Sequence, residues 1–117
     1  MADQRWPKER RLRKRREIVA VRAGAAIRGR WFVAQVRPRE ANGPWRMAIT
    51  VTRRVGNAVT RNRIKRWARE AARIGKPWPQ GVDVVVIARA QAATLTARDD
   101  GFSKICADFS RLARAMG

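Results

Sequence analysis

Between Arg53 and Arg73 the chain carries eight basic side chains, Arg53, Arg54, Arg61, Arg63, Lys65, Arg66, Arg69 and Arg73, against one acid, Glu70. Guanidinium and ammonium groups have one outstanding chemistry, the donation of charge-assisted hydrogen bonds to phosphate or carboxylate oxygens. The turn Gly56-Asn57 opens this stretch, and from Ala58 onward the cations recur at helical spacing. Asn62, Lys65, Arg66, Arg69 and Arg73 fall on one face of the predicted helix, whereas Ile64, Trp67, Ala68 and Ala71 fall on another. Arg61 and Arg63 flank Asn62 near the N-terminal end, where free backbone N–H groups and the helix dipole also favour an anion.

A helix face that is merely solvated interleaves Glu with Lys or Arg at i,i+4 spacing. Glu70 alone cannot serve so many cations, so the face is expected to grip a polyanion from outside the chain. A DNA-reading helix would follow another helix through a short turn, whereas this one follows a strand, which disfavours DNA. Structured RNA suits the element order better, offering phosphates to the helix and single strands to a sheet face.

The remaining composition removes competing chemistries. His is absent and Cys106 is the one cysteine, which excludes an internal disulfide, His-containing or Cys-rich zinc sites and His-based triads. Nine acids in 117 residues supply a protein nuclease's metal pair poorly. Cys106 itself falls in an apolar stripe and reads as a small buried hydrophobe.

These side chains need a body to hold them. The length fits one domain, 1–117, with 1–11 expected to be a mobile basic arm. Lys+Arg 28 against Asp+Glu 9 gives +19, a self-repulsion that bound phosphates would offset. An apolar content of 45% exceeds that of a disordered basic tail. No run approaches the ~20 apolar residues of a spanning helix, and Met1 to Arg16 lacks a signal-peptide pattern, so the expected setting is cytoplasmic, without a membrane partner.

Glu17 to Val21 predicts a short helix ending near Gly24. Trp31 to Arg37 predicts a strand closed at Pro38, and Met47 to Thr52 a second strand paired antiparallel with it across the Asn42-Gly43-Pro44 loop. Gly75, Pro77 and Pro79 end the basic helix, and Val82 to Ala88 reads as a buried central strand. Thr96 with Asp99 resembles a capping box that opens the last helix, weakened by Gly101 in its first turn. Phe102, Ile105, Cys106, Phe109, Leu112, Ala113 and Met116 form that helix's apolar stripe. Phe32 is expected in the core, with Trp31, Val33, Gln35 and Arg37 on the opposite face of the strand. Trp67 is expected to pack, Trp6, Trp45 and Trp78 fall in arm or loops, and Thr50 and Thr52 face solvent or RNA.

Taken together, the residues resemble the protein component of bacterial ribonuclease P. Arg61-Asn62-Arg63, Lys65-Arg66 and Arg69-Glu70 match its hallmark, and Val55 to Val59 match the Val-Gly-Asn-Ala-Val before it. Arg30-Trp31-Phe32-Val33, Thr50-Val51-Thr52-Arg53-Arg54 in place of the usual Ser-Val-Ser-Lys-Lys, and Val84 to Arg89 extend the likeness from roughly Leu12 to Leu112. The resemblance implies a single α+β domain with a central sheet of about four strands, the ribosomal protein S5 domain 2-like arrangement, whose βαβ crossover is left-handed. It implies a catalytic RNA subunit that removes the 5′ leader of precursor tRNA with Mg²⁺ held mainly by the RNA, and one protein per RNA. Carried over, Arg61, Asn62, Arg63, Lys65, Arg66 and Arg69 become the RNA-contacting set, and Arg53, Arg54, Asn57 and Arg73 of the same basic segment are expected to join it.

The same resemblance places the single-stranded leader in a cleft between the sheet and the N-terminal helix, here Ile18, Val21, Arg22, Trp31, Val33, Gln35 and Arg37. The family's two aromatic residues on that helix correspond to Ile18 and, across a one-residue deletion, Val21 or Arg22. A strand aromatic is replaced by Gln35. Stacking on leader bases, worth ~1–3 kcal/mol per base where present, is expected to be weaker or supplied differently.

Overall fold

The computed structural model describes residues 11, 12, 14–39 and 43–116. Helix α1 spans Arg15–Arg22, with Glu17 in its first turn and Val21 buried beneath it. Strands β1 (Ala25–Arg28) and β2 (Phe32–Pro38) follow, then β3 (Arg46–Thr50), helix α2 (Ala58–Gly75) and strand β4 (Val82–Ala88). A 3₁₀ helix over Ala90–Ala97 leads to α3 (Gly101–Ala115). The sheet order is β1-β2-β4-β3, antiparallel except for the parallel β3/β4 pair that α2 connects.

Alternation divides the sheet into two faces. Phe32 and Ala34 of β2, Met47 of β3 and Val84, Val86 and Ala88 of β4 are buried against α2 and α3. Phe109 of α3 meets Phe32 edge-on at 5.2 Å and Trp78 at 5.1 Å, while the Trp78 indole N–H donates to Met47 Sδ at 3.2 Å. Ile105 and Leu112 extend this stripe, and Ile64, Ala68, Ala71 and Ala72 bring α2 down beside it. On the other face Val21 and Ile18 of α1 pack with Leu12, Ala48, Val85 and Ile87 in a smaller cluster. Apolar side chains on both faces of β4 account for its near-continuous run, since a strand covered twice has no solvent side.

The α+β class, the four-stranded sheet and the central place of Val82 to Ala88 match expectation. Several local expectations do not. The Met47 strand does not pair with the Trp31 strand: β4 lies between them, and β3 runs parallel to it because α2 carries the chain back across the sheet. Strand β1 was not foreseen, being only four residues, Ala25-Ala26-Ile27-Arg28, at a largely exposed edge. Arg11, expected in a mobile arm, forms a bridge with Met47, and Leu12 N–H donates to Met47 O at 3.1 Å. The rest of that arm, with Trp6, lies outside the described residues. Trp45 and Trp78 do lie in loops, as sequence placed them, yet are buried at 4% and 3% exposure, so aromatic burial outruns regular structure here.

The last helix begins five residues later than the Thr96 signal. Thr96 hydroxyl donates back to Ala93 O at 2.9 Å within the 3₁₀ helix instead of capping α3. Gly101, a propensity cost by sequence, is required by close approach. A Cβ there would lie 2.2 Å from Leu95 O and 2.8 Å from the Trp67 ring.

Candidate nucleic-acid interface

Helix α2 is set by its own sequence. Asn57 Oδ1 accepts the Thr60 N–H at 3.0 Å, satisfying one of the donors that the helix start leaves open. Lys76, in the left-handed region at φ 42°, closes the far end by donating to Ala72 O. Ile64, Ala68, Ala71 and Ala72 are buried, and Trp67 is half-buried against the main core. That anchoring turns Asn62, Arg63, Arg66 and Arg69 outward as exposed residues, with Arg61, Lys65 and Arg73 half-buried beside them. The two faces read from spacing are therefore the two faces of the folded helix.

The cations are held to different degrees. Arg61 Nε donates to Gly56 O at 3.1 Å, so its guanidinium folds over the entry turn. Arg63 reaches Thr96 O at 3.3 Å and ties the helix to the 3₁₀ segment. Arg73 is ion-paired with Glu70, and its hydrogen bond holds the Glu70 carboxyl below its ordinary range and raises the Arg73 guanidinium. Among the described residues no acid pairs with Arg53, Arg54, Arg61, Arg63, Lys65, Arg66 or Arg69. Arg53 and Arg54 are exposed on the turn after β3. The result is a face of acid-free donors on a rigid support, suited to several phosphates at once. Arg73, already neutralised, contributes least, and Asn57 is committed to its cap.

The proposed cleft residues separate. Ile18, Val33 and Gln35 are half-buried, and Arg22 and Arg37 exposed, on the side of the sheet that α1 covers. Val21, at 1% exposure, is packing under α1 and not a lining residue. Trp31 is not in the cleft: it is 7% exposed and belongs to the core on the opposite side. Alternation fails for it because the chain has not yet entered β2. Trp31 sits in a turn whose N–H groups at Arg30, Trp31 and Phe32 all donate to the buried Asp108 carboxylate, at 2.9, 3.0 and 3.0 Å. The Gln35 side-chain oxygen is buried without a hydrogen-bond partner.

One polar cluster escaped the sequence reading. Arg39 Nε and Arg46 Nε each donate to Asp83 Oδ1 at 2.9 Å, and Arg46 also pairs with Glu17 of α1 at 3.3 Å. Bonding to Asp83 and the nearby Glu17 raise the Arg46 guanidinium. With Arg37 and Pro38 these residues line a cavity of about 270 Å³ at the Pro38 end of the cleft. Its single sequence signal is Asp83, a carboxylate inside an apolar strand, which must find partners. Glu17 and Asp83 do not fit Mg²⁺, because guanidiniums already occupy them. Among the described residues no three His, Cys, Asp or Glu side chains group as metal ligands.

Comparison with known proteins adds the family. A model described as Ribonuclease P matches residues 6–116. The ribonuclease P protein component of Brucella suis is 39% identical, covering 92% of this chain and 79% of the relative. That of Desulforapulum autotrophicum is 36% identical over 100% of both chains. Among solved structures, the ribonuclease P protein of Thermotoga maritima aligns with a TM-score of 0.80 at 32% identity, covering 92% of this chain and 97% of that one. The Staphylococcus aureus protein aligns at 0.78 and 27% identity, covering 93% and 96%. With the family matched across the motif, the sheet and the last helix alike, the chain belongs to the ribonuclease P protein family.

Proposed function

We propose that this chain is the protein subunit of a ribonuclease P, binding the catalytic RNA through α2 and assisting removal of the 5′ leader from precursor tRNA. The observation that carries this reading is the outer face of α2. Its exposed Asn62, Arg63, Arg66 and Arg69, with Arg53, Arg54 and Lys65, have no acid partner among the described residues. Donors so arranged orient a structured RNA without the protein entering the chemistry.

Mg²⁺ held by the RNA supplies the metal chemistry, in keeping with the poor fit of Glu17 and Asp83. The leader passes between α1 and the sheet, over Ile18, Val33, Gln35 and Arg37. Without aromatic residues at those positions, contact is carried by aliphatic surface, the Gln35 amide and the cations Arg22 and Arg37. The complex contains one protein per RNA, acts in the cytoplasm and uses neither DNA nor a membrane. Among the described residues no helix is long and apolar enough to cross a membrane.

The test is cleavage of precursor tRNA at low Mg²⁺ by a cognate catalytic RNA with and without the protein. Stimulation is expected. RNA binding without stimulation would instead mark a structural RNA-binding protein, and cleavage by the protein alone would mark a self-sufficient nuclease.

A further inference from the structure

The strand registers bring one end of each strand to a common rim. Thr50 of β3 lies opposite Ile87 of β4, Ala88 of β4 opposite Phe32 of β2, and Arg28 of β1 opposite Val33 of β2. Read across the sheet, that rim carries Arg53 and Arg54 after β3, Arg89 after β4, Arg30 before β2 and Arg28 at the end of β1. Every strand therefore contributes an arginine at this end. At the opposite end Asp83 and Glu17 neutralise Arg39 and Arg46, which leaves Arg37 as the unpaired strand arginine there among the described residues. No described acid pairs with any of the five rim arginines.

The β1–β2 turn that presents the outer half of the rim is held rigidly. Three of its N–H groups go to Asp108, Gly29 O accepts from the Arg89 guanidinium at 2.9 Å, Arg30 O accepts from Gln91 at 3.0 Å, and Trp31 O accepts from Arg89 N–H at 2.8 Å. Arg30 rests over the Trp31 ring at 5.3 Å, so its charge is placed without being neutralised. Arg28 and Arg30 are both exposed. Across four strands the row extends ~14 Å, from strand spacings of about 4.8 Å. It starts at the turn that leads into α2.

We propose that Arg28, Arg30 and Arg89, with Arg53 and Arg54, form a phosphate-binding rim that takes the sugar–phosphate backbone of an RNA strand running from the α2 face to the β1 edge. This rests on RNA being the polyanion that α2 meets. Rigid, acid-free donors in a row suit a repeating phosphate and carry no base preference. The rim would hold the strand in register while α2 fixes the RNA body.

The experiment measures binding of precursor tRNA and of a cognate ribonuclease P RNA against salt, for wild type, R28Q/R30Q, R28Q alone and K76Q at the opposite end of the sheet. The rim double variant is expected to flatten the log–log salt dependence by up to ~0.7–0.9 per lost contact, R28Q by about half as much, and K76Q not at all. An unchanged slope in R28Q/R30Q for both RNAs, with the thermal melt of the fold intact, overturns the rim. R61Q/R63Q/R66Q separates the two readings. If it alone loses binding, α2 stands and the rim falls; if it retains binding while R28Q/R30Q flattens the slope, the rim stands and α2 is not the face. R28Q, which removes a side chain with no hydrogen bond or ion pair among the described residues, decides the case should the double variant melt early.

Discussion

Asp108 is a carboxylate at 2% exposure in a chain of formal charge +19, and it accepts three backbone N–H groups from a turn more than seventy residues earlier. Such bonds to a charged acceptor are stronger than neutral ones, and removing the acceptor strands three donors. Asp108→Ala is expected to cost roughly 3 kcal/mol or more, measured by urea unfolding, with Asp108→Asn intermediate because one amide oxygen cannot serve all three. Gln35 presents the reverse case. Its side-chain oxygen is buried and unbonded, so Gln35→Met, similar in length and without that oxygen, should unfold at equal or higher denaturant, by up to ~1 kcal/mol. Neither role could be read from sequence. Asp108 lies among the apolar positions of α3 and its partners are distant in the chain, while Gln35 shows only an alternation that assigns it a face. Cys106 was readable in part: it packs against the core from the apolar stripe as expected but is half-buried, not buried, and that partial burial pushes its thiol upward. Its alkylation at neutral pH should be slow in the native protein and speed up on unfolding.

Helix α2 was legible because everything that defines it is local: the Asn57 cap, the 3.6-residue spacing of Ile64, Ala68 and Ala71, and a nearly acid-free face. The exception on that face, Glu70, gives a pH test. Its carboxyl is held below the ordinary range first by the hydrogen bond from Arg73, against a small opposing effect of burial. The pair's contribution is therefore complete above the ordinary glutamate value and disappears as pH falls through the lowered folded value. Wild type and Glu70→Gln should differ slightly in thermal stability at neutral pH and converge in acid. A difference that grew on acidification would contradict the pairing. Strand order was illegible for the opposite reason. Which strand neighbours β3 depends on where α2 returns the chain, and the apolar run of β4 indicates burial on both faces without naming its neighbours. Trp31 was misplaced because a two-residue period says nothing about where a strand begins, and Asp108 delays that beginning to Phe32.

At the scale of the whole molecule, charge has two opposing consequences that salt separates. With 28 basic residues and nine acids, the cations far outnumber the acids that could neutralise them, and their mutual repulsion opposes the folded state. Of the pairs among the described residues, those of Glu17 and Asp83 tie distant parts of the fold together: Glu17–Arg46 joins α1 to the sheet, and Asp83 gathers Arg39 and Arg46 at one end of it, whereas Glu70–Arg73 and the Asp100 pairs with Arg98 and Lys104 are local. The α2 face and the opposite rim are left bare. Added salt shortens the Debye length from ~30 Å at about 0.01 M to ~10 Å at about 0.1 M, which screens repulsion between cations spread over the surface. The same salt weakens phosphate binding, because counterions released from the RNA gain less entropy in a more concentrated solution. The free protein should therefore melt at a higher temperature as NaCl rises over this range, while its affinity for RNA falls. In low salt, added RNA should raise the melting temperature in place of the screening ions, by mass action on the folded state. If salt lowered the melting temperature of the free protein, surface ion pairs would outweigh repulsion, and bare cations could no longer explain the face that α2 presents.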